Sequence, residues 1–132
     1  MILVDTHVAI WITTQNSALG KLSHSLLDQA FRDNRVCISA ISFWELGMLI
    51  AKRRLDAITS PSEHRAKILG SGFQEIAVTG DIAILAAGLD LHADPANRFI
   101  VATAITHDAT LMTADRALLR WRHKLPRQNA AK

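Results

Sequence analysis

Asp5, Glu45, Asp94 and Asp115 are the residues of this chain whose type and placement suit chemistry. Asp5 follows the apolar run Ile2-Leu3-Val4, and Asp115 follows Leu111-Met112-Thr113. Glu45 lies inside an apolar stretch from Ile41 to Leu49, and Asp94 stands just before Pro95. In open α/β sheets, ligands bind beyond the carboxyl ends of the strands. Carboxylates gathered at that edge would hold a hard divalent cation such as Mg2+ or Mn2+, which takes oxygen ligands and keeps several waters. Such an ion can activate a water and stabilise a phosphodiester during displacement.

Each acid also has a plainer explanation. Asp5 and Asp115 suit helix N-caps, where a short carboxylate accepts from free backbone amides. Asp94 followed by Pro95 reads as a cap with proline at the first helical position, and that is the favoured role for it. Asn97 then falls in the first turn, where the helix dipole favours an anion and the chain carries an amide. Glu45 resists such a reading. An exposed helical stripe is its alternative, but Ile41, Phe43, Trp44, Leu46, Met48 and Leu49 leave little polar face. A bare buried carboxylate costs several kcal/mol, of order 3–5, so a cation is expected nearby.

Other chemistries find no support. His7, His24, His64, His92, His107 and His123 show no HExxH or Cys–His zinc spacing. There is no phosphate-binding glycine loop, and Ser39 and Ser42 are not in a nucleophile elbow. Cys37 is the single cysteine, which excludes an internal disulfide and fits a buried small hydrophobe in the cytoplasm. Trp11, Trp44 and Trp121 are expected as packing residues. With no Tyr and four Phe, an aromatic platform for bases is not expected.

The elements that must position these acids follow from periodicity. The 132 residues suit one domain, 1–132, with a basic C-terminal tail from about residue 121. Apolar runs alternate with helical stretches, the pattern of βαβ units and a parallel sheet. Expected strands are Ile2–Val4, Val36–Ser39, Glu75–Val78 and Thr110–Met112. Ser23 is expected to cap a helix carrying Leu26, Leu27, Ala30 and Phe31, with Leu22 and Leu27 as a hydrophobic staple. Ser39 is expected to cap the helix bearing Glu45. Ser60-Pro61-Ser62-Glu63 forms a capping box. No apolar run approaches membrane-spanning length, so no membrane role is expected.

The net charge is +3, unevenly spread. Six Lys or Arg and no acid lie from Arg116 to Lys132, and Lys52-Arg53-Arg54 forms a second cluster. Such clusters favour a polyanionic partner, or else a solvated tail.

Four pieces of sequence, in order and spacing, resemble the PIN-domain ribonucleases, in particular the VapC-type toxins of type II toxin–antitoxin pairs. They are Leu3-Val4-Asp5-Thr6-His7, the run from Ser39 to Glu45, the run from His92 to Ala104, and Leu111-Met112-Thr113-Ala114-Asp115. The resemblance implies an α/β fold: a PIN-like three-layer α/β/α sandwich with a central parallel sheet. It implies Mg2+ or Mn2+ held by Asp5, Glu45, Asp115 and the position of Asn97, with Thr6 and Thr113 in support. It further implies an RNA substrate such as tRNA or rRNA, a cognate VapB-type antitoxin, and a homodimer. Lys52, Arg53, Arg54 and Arg116 are the expected RNA-binding cations.

One position departs from the pattern. The family carries Asp-Pro-x-Asp-Arg, whereas this chain has Asp94-Pro95-Ala96-Asn97-Arg98. The amide removes one negative charge, so cation affinity and polarisation of an attacking water should fall. Natural attenuation, compensation by Asp94 and a disarming substitution each account for it. A catalytically silent RNA- or partner-binding module is the alternative to an active nuclease. A structure-specific DNA nuclease of related fold fits less well, because 132 residues leave little room for DNA-gripping insertions.

Overall fold

The computed structural model describes residues 1–55 and 58–132. Five strands, all parallel, form one sheet in the order β3-β2-β1-β4-β5: β1 (Ile2–Val4), β2 (Val36–Ser39), β3 (Gln74–Ile76), β4 (Thr110–Thr113) and β5 (Arg127–Asn129). The helices are α1 (Thr6–Thr13), α2 (Lys21–Arg32), α3 (Ile41–Ala51), α4 (Pro61–Gly70), α5 (Gly80–Gly88), α6 (Pro95–Thr106) and α7 (Arg116–Arg120).

Alternation along the strands makes two cores. Val4, Ile38 and Met112 point to one face, where they pack with Val8, Leu27, Ile68 and Phe73 of α1, α2, α4 and the approach to β3. Leu3, Cys37 and Leu111 point to the other, against Ile100, Val101 and Ala104 of α6 and Leu118 of α7. Both faces of the central strands are therefore buried, which is why these strands read as continuous apolar runs. The expected three-layer α/β/α sandwich results.

The strand order sets the position of the site. From β1 the chain builds outward to β2 and β3, then returns to place β4 on the other side of β1. The β1–β4 seam is thus the switch point, and in such sheets the ligand crevice opens at its carboxyl end. Asp5 follows β1 there and Asp115 follows β4.

Three local expectations are corrected. The helix bearing Leu27 begins at Lys21, capped by Gly20 without a side-chain bond, and not at Ser23. The chain end takes over that role. The Gly20 amide donates to the Ala130 carbonyl at 2.8 Å, and the Leu22 amide donates to the Lys132 main-chain oxygen at 2.9 Å. Ser23 is buried instead, and its hydroxyl donates to the Asn129 carbonyl at 3.1 Å. Leu22 is exposed, so no staple forms. Second, the segment after residue 121 is no free tail, because β5 pairs with β4 and Ala130 is buried. Arg127 is consumed there: its guanidinium donates to the carbonyls of Leu118, Trp121, His123 and Leu125 at 2.6–3.1 Å. Third, Trp44 is 53% exposed and does not serve the core.

Elsewhere the caps follow expectation. The Glu63 amide donates to Ser60 Oγ at 3.2 Å, with Pro61 at the first position of α4. The exception is α3, whose cap position is held by Ala40 and not by Ser39; Ser39 Oγ, one residue earlier, accepts from the Ile41 amide at 3.2 Å. Among the described residues, no helix is long and apolar enough to cross a membrane.

Candidate active site

Asp5, Glu45, Asp94, Asn97 and Asp115 line one cavity of about 250 Å3, together with His7, Trp11 and Ala114. They come from four separate stretches of chain, joined at the carboxyl end of β1 and β4. Three of the four acids begin helices. Asp5 Oδ1 accepts from the Val8 amide at 2.8 Å, Asp94 Oδ1 from the Asn97 amide at 2.9 Å, and Asp115 Oδ1 from the Leu118 amide at 3.1 Å. Capping and facing the cavity are therefore not alternatives for these residues. Each uses one carboxylate oxygen for the helix; the second oxygen of Asp5 accepts from Thr113, and that of Asp115 faces Asn97. The positive ends of α1 and α6 moderate the repulsion that gathered acids would suffer.

Thr113 organises the seam. Its hydroxyl donates to Asp5 Oδ2 at 2.5 Å and accepts from the Asp115 amide at 3.0 Å. The Asp5 amide in turn donates to the Met112 carbonyl at 3.1 Å. Thr6, buried beside Asp5, donates to Ser42 Oγ at 2.9 Å and so ties α1 to α3, the helix that carries Glu45. Sequence reasoning singled out Thr6 and Thr113 but missed Ser42. Its signal was spacing: Ser42 precedes Glu45 by three residues and shares its helix face.

The acids are held in an electrostatically uncomfortable state. Burial pushes the Asp5 carboxyl above its ordinary range, against the pull of Thr113, the Val8 amide and His7, while Asp115 pushes it further up. Burial also raises Glu45, opposed by Thr6 and His7 and reinforced by Asp94 and Asp5. A cation among them would reverse both shifts.

Asn97 meets Asp115 directly, its Nδ2 lying 3.4 Å from Asp115 Oδ2. The amide thus offers a weak donor to the Asp115 carboxylate, whose other oxygen accepts from the Leu118 amide. Among the described residues, no three His, Cys, Asp or Glu side chains come close enough to form a ready metal cage. The oxygen-only donor set still fits Mg2+ or Mn2+. These ions bind through one or two carboxylates and retain waters, so an open rim of acids suffices.

Next to the acids lies a groove of about 420 Å3 with a different lining: Trp44, Met48, Leu49, Lys52, Arg54, Leu55, Pro95 and Ala96. It shares His7, Glu45 and Asp94 with the acid cavity. The basic cluster at the end of α3 is divided by backbone conformation. Arg53 sits in the left-handed region at φ 54°, while its amide donates to Ile50 and that of Arg54 to Leu49, a turn that closes the helix. Lys52 and Arg54 come to line the groove; Arg53 occupies the turn. Arg116 is exposed at the start of α7, beside Asp115.

Residues 2–124 match the family model of the PIN domain. Ribonuclease VapC22 of Mycobacterium tuberculosis is 31% identical over 127 residues, covering 95% of each chain. Among solved structures, VapBC2 from Rickettsia felis bound to a DNA fragment from their promoter shares the fold, with a TM-score of 0.69, 20% identity and 98% of both chains covered. A toxin–antitoxin complex from Klebsiella pneumoniae aligns with a TM-score of 0.57 at 24% identity over 87% of each chain.

Proposed function

This chain belongs to the PIN-domain family, and from that premise we propose that it is a divalent-metal-dependent endoribonuclease, a toxin restrained by a cognate antitoxin. The observation that carries this reading is the single cavity lined by Asp5, Glu45, Asn97 and Asp115 at the switch point of the sheet. The relative named a ribonuclease and the fold shared with a toxin–antitoxin complex support it.

Asp5, Glu45, Asp115 and the Asn97 amide oxygen would hold Mg2+ or Mn2+. When bound, such a cation supplies the positive charge that activates water and steadies the phosphodiester in displacement. The chain's own residues do the rest. Thr113 orients Asp5 and Asp115, Thr6 holds the helix of Glu45 against α1 through Ser42, and Lys52 and Arg54 grip the RNA backbone, with Arg53 and Arg116 adding to the positive field. The products are a 5′-phosphate and a 3′-hydroxyl, and tRNA or rRNA is the substrate class. The chain acts in the cytoplasm as a homodimer and assembles with its antitoxin into a hetero-oligomer.

Asn97 favours a second reading, a silent RNA- or partner-binding module. Its contact with Asp115 gives that carboxylate a partner without a cation. Mn2+-dependent cleavage of tRNA and rRNA by this chain, by Asn97→Asp and by Glu45→Gln separates the two. Cleavage by the chain or by Asn97→Asp, lost when Glu45→Gln is added to the form that cleaves, supports the nuclease. If neither form cleaves RNA or binds Mn2+, the nuclease reading fails.

A further inference from the structure

Trp44 is a half-exposed indole in a chain that has ample core to bury it. Trp44, Met48 and Lys52 recur at intervals of four along α3 and its C-cap, so they form one row on one helix face. That row is one wall of the 420 Å3 groove; Asp94, Pro95 and Ala96 at the start of α6 are another, and Arg54 and Leu55 also line it. Trp44 also borders a smaller cavity of about 230 Å3 with Ile41, Pro95, Ala96 and Phe99. The indole therefore stands as a partition between two hollows.

We propose that the larger hollow is the subsite for one unpaired nucleotide adjoining the cut phosphate, its base stacked on the Trp44 indole and its own phosphate held by Lys52 and Arg54. The inference rests on the ribonuclease reading and adds a requirement to it: the substrate must present an unstacked base. The volume lies toward the small end of the roughly 300–1,000 Å3 typical of ligand sites. It suits a single nucleotide, not a helix. A duplex keeps its base faces stacked inside, whereas loops and ends can lay a base on an aromatic side chain. The charge pattern agrees. Lys52 and Arg54 complement a phosphate, while Glu45 and Asp94 mark the end shared with the acid cavity. A self-association face is the competing occupant, and charged side chains are scarce at the centre of such faces.

The test is binding of a short unstructured RNA containing 2-aminopurine, by the full chain without divalent cations, against the same strand annealed to its complement. Binding of the single strand with quenched fluorescence is expected. Trp44→Ala should weaken it about tenfold or more, since base–aromatic stacking is lost. Trp44→Phe should retain most of it, and Lys52→Ala should weaken it and flatten its salt dependence. Duplex binding should change little in Trp44→Ala. Because Trp44 is half exposed, its variants keep the core, which circular dichroism checks. If the chain binds the single strand and Trp44→Ala binds it equally, the subsite is wrong while the ribonuclease reading stands. If Trp44→Ala turns a dimer into a monomer and weakens single strand and duplex alike, the face is for self-association and the subsite is again wrong. If the chain neither binds nor cleaves any RNA, the ribonuclease reading itself falls.

Discussion

Thr113 and Asp5, 108 positions apart, are joined by one short hydrogen bond across the β1–β4 seam. The same hydroxyl accepts from the Asp115 amide, so a single side chain fixes both acids that flank the seam. Thr113→Val keeps the shape and removes both bonds. It leaves a part-buried amide and a buried carboxylate short of a partner, which should cost about 2 kcal/mol. Thermal unfolding should show the loss, and Thr113→Ser should recover most of it. A Thr113→Val chain as stable as the parent would mean that the hydroxyl does not organise the seam.

Asp5→Asn should stabilise the cation-free chain at neutral pH. Burial raises the Asp5 carboxyl in the folded state, so the folded chain holds a proton the unfolded chain releases. Its contribution is present below the ordinary carboxylate range and is lost as pH rises through the raised value. Above the ordinary carboxylate range the buried group is a liability, and Asn still caps α1. Each kcal/mol gained should raise Tm by roughly 4 °C in a domain of this size. Melting in EDTA at pH 5 and pH 7.5 checks it, with the larger gain at the higher pH.

Asn97→Asp should do the opposite and reveal the cation. A carboxylate would replace the amide that now lies 3.4 Å from Asp115, adding like-charge repulsion. The cation-free chain should melt at lower temperature than the parent, and Mn2+ should raise its Tm by more than it raises the parent's. Differential scanning calorimetry with and without Mn2+ reads both. Equal Mn2+ shifts in the two chains would remove position 97 from the ligand set.

Gly20→Ala should loosen the far edge of the sheet. Gly20 has an ordinary negative φ, but a Cβ there would meet the Lys132 main chain at 2.1 Å. The terminus must move, breaking the bonds from the Gly20 and Leu22 amides, for a loss of about 1–3 kcal/mol. Hydrogen exchange should quicken at the amides of α2's first turn and of residues 127–130, and not in β1 or β2.

The parallel sheet, its central strands and the acids of the site were legible because two-sided burial writes itself as unbroken apolar runs ending in Asp5 and Asp115. The proline and serine punctuation gave α4 and α6 their starts. β5 was not legible: Arg127, Gln128 and Asn129 form a half-buried edge strand with no apolar signal. Nor was the start of α2, because its cap comes from residues more than a hundred positions away. The apolar face of α3 was misread for a related reason. Periodicity reports which side chains are apolar, and it cannot say that Trp44 and Met48 line a groove while Leu46 lines the core.

Three of the site's acids hold up the helices that follow them. Selection on chemistry and selection on folding are therefore welded together at Asp5, Asp94 and Asp115, where a lineage can drift only among residues able to start a helix. Asn is the nearest such residue. Glu45 carries no such double duty, since it stands in the second turn of α3 and caps nothing. It is the corner at which this architecture can lose its chemistry and keep its shape.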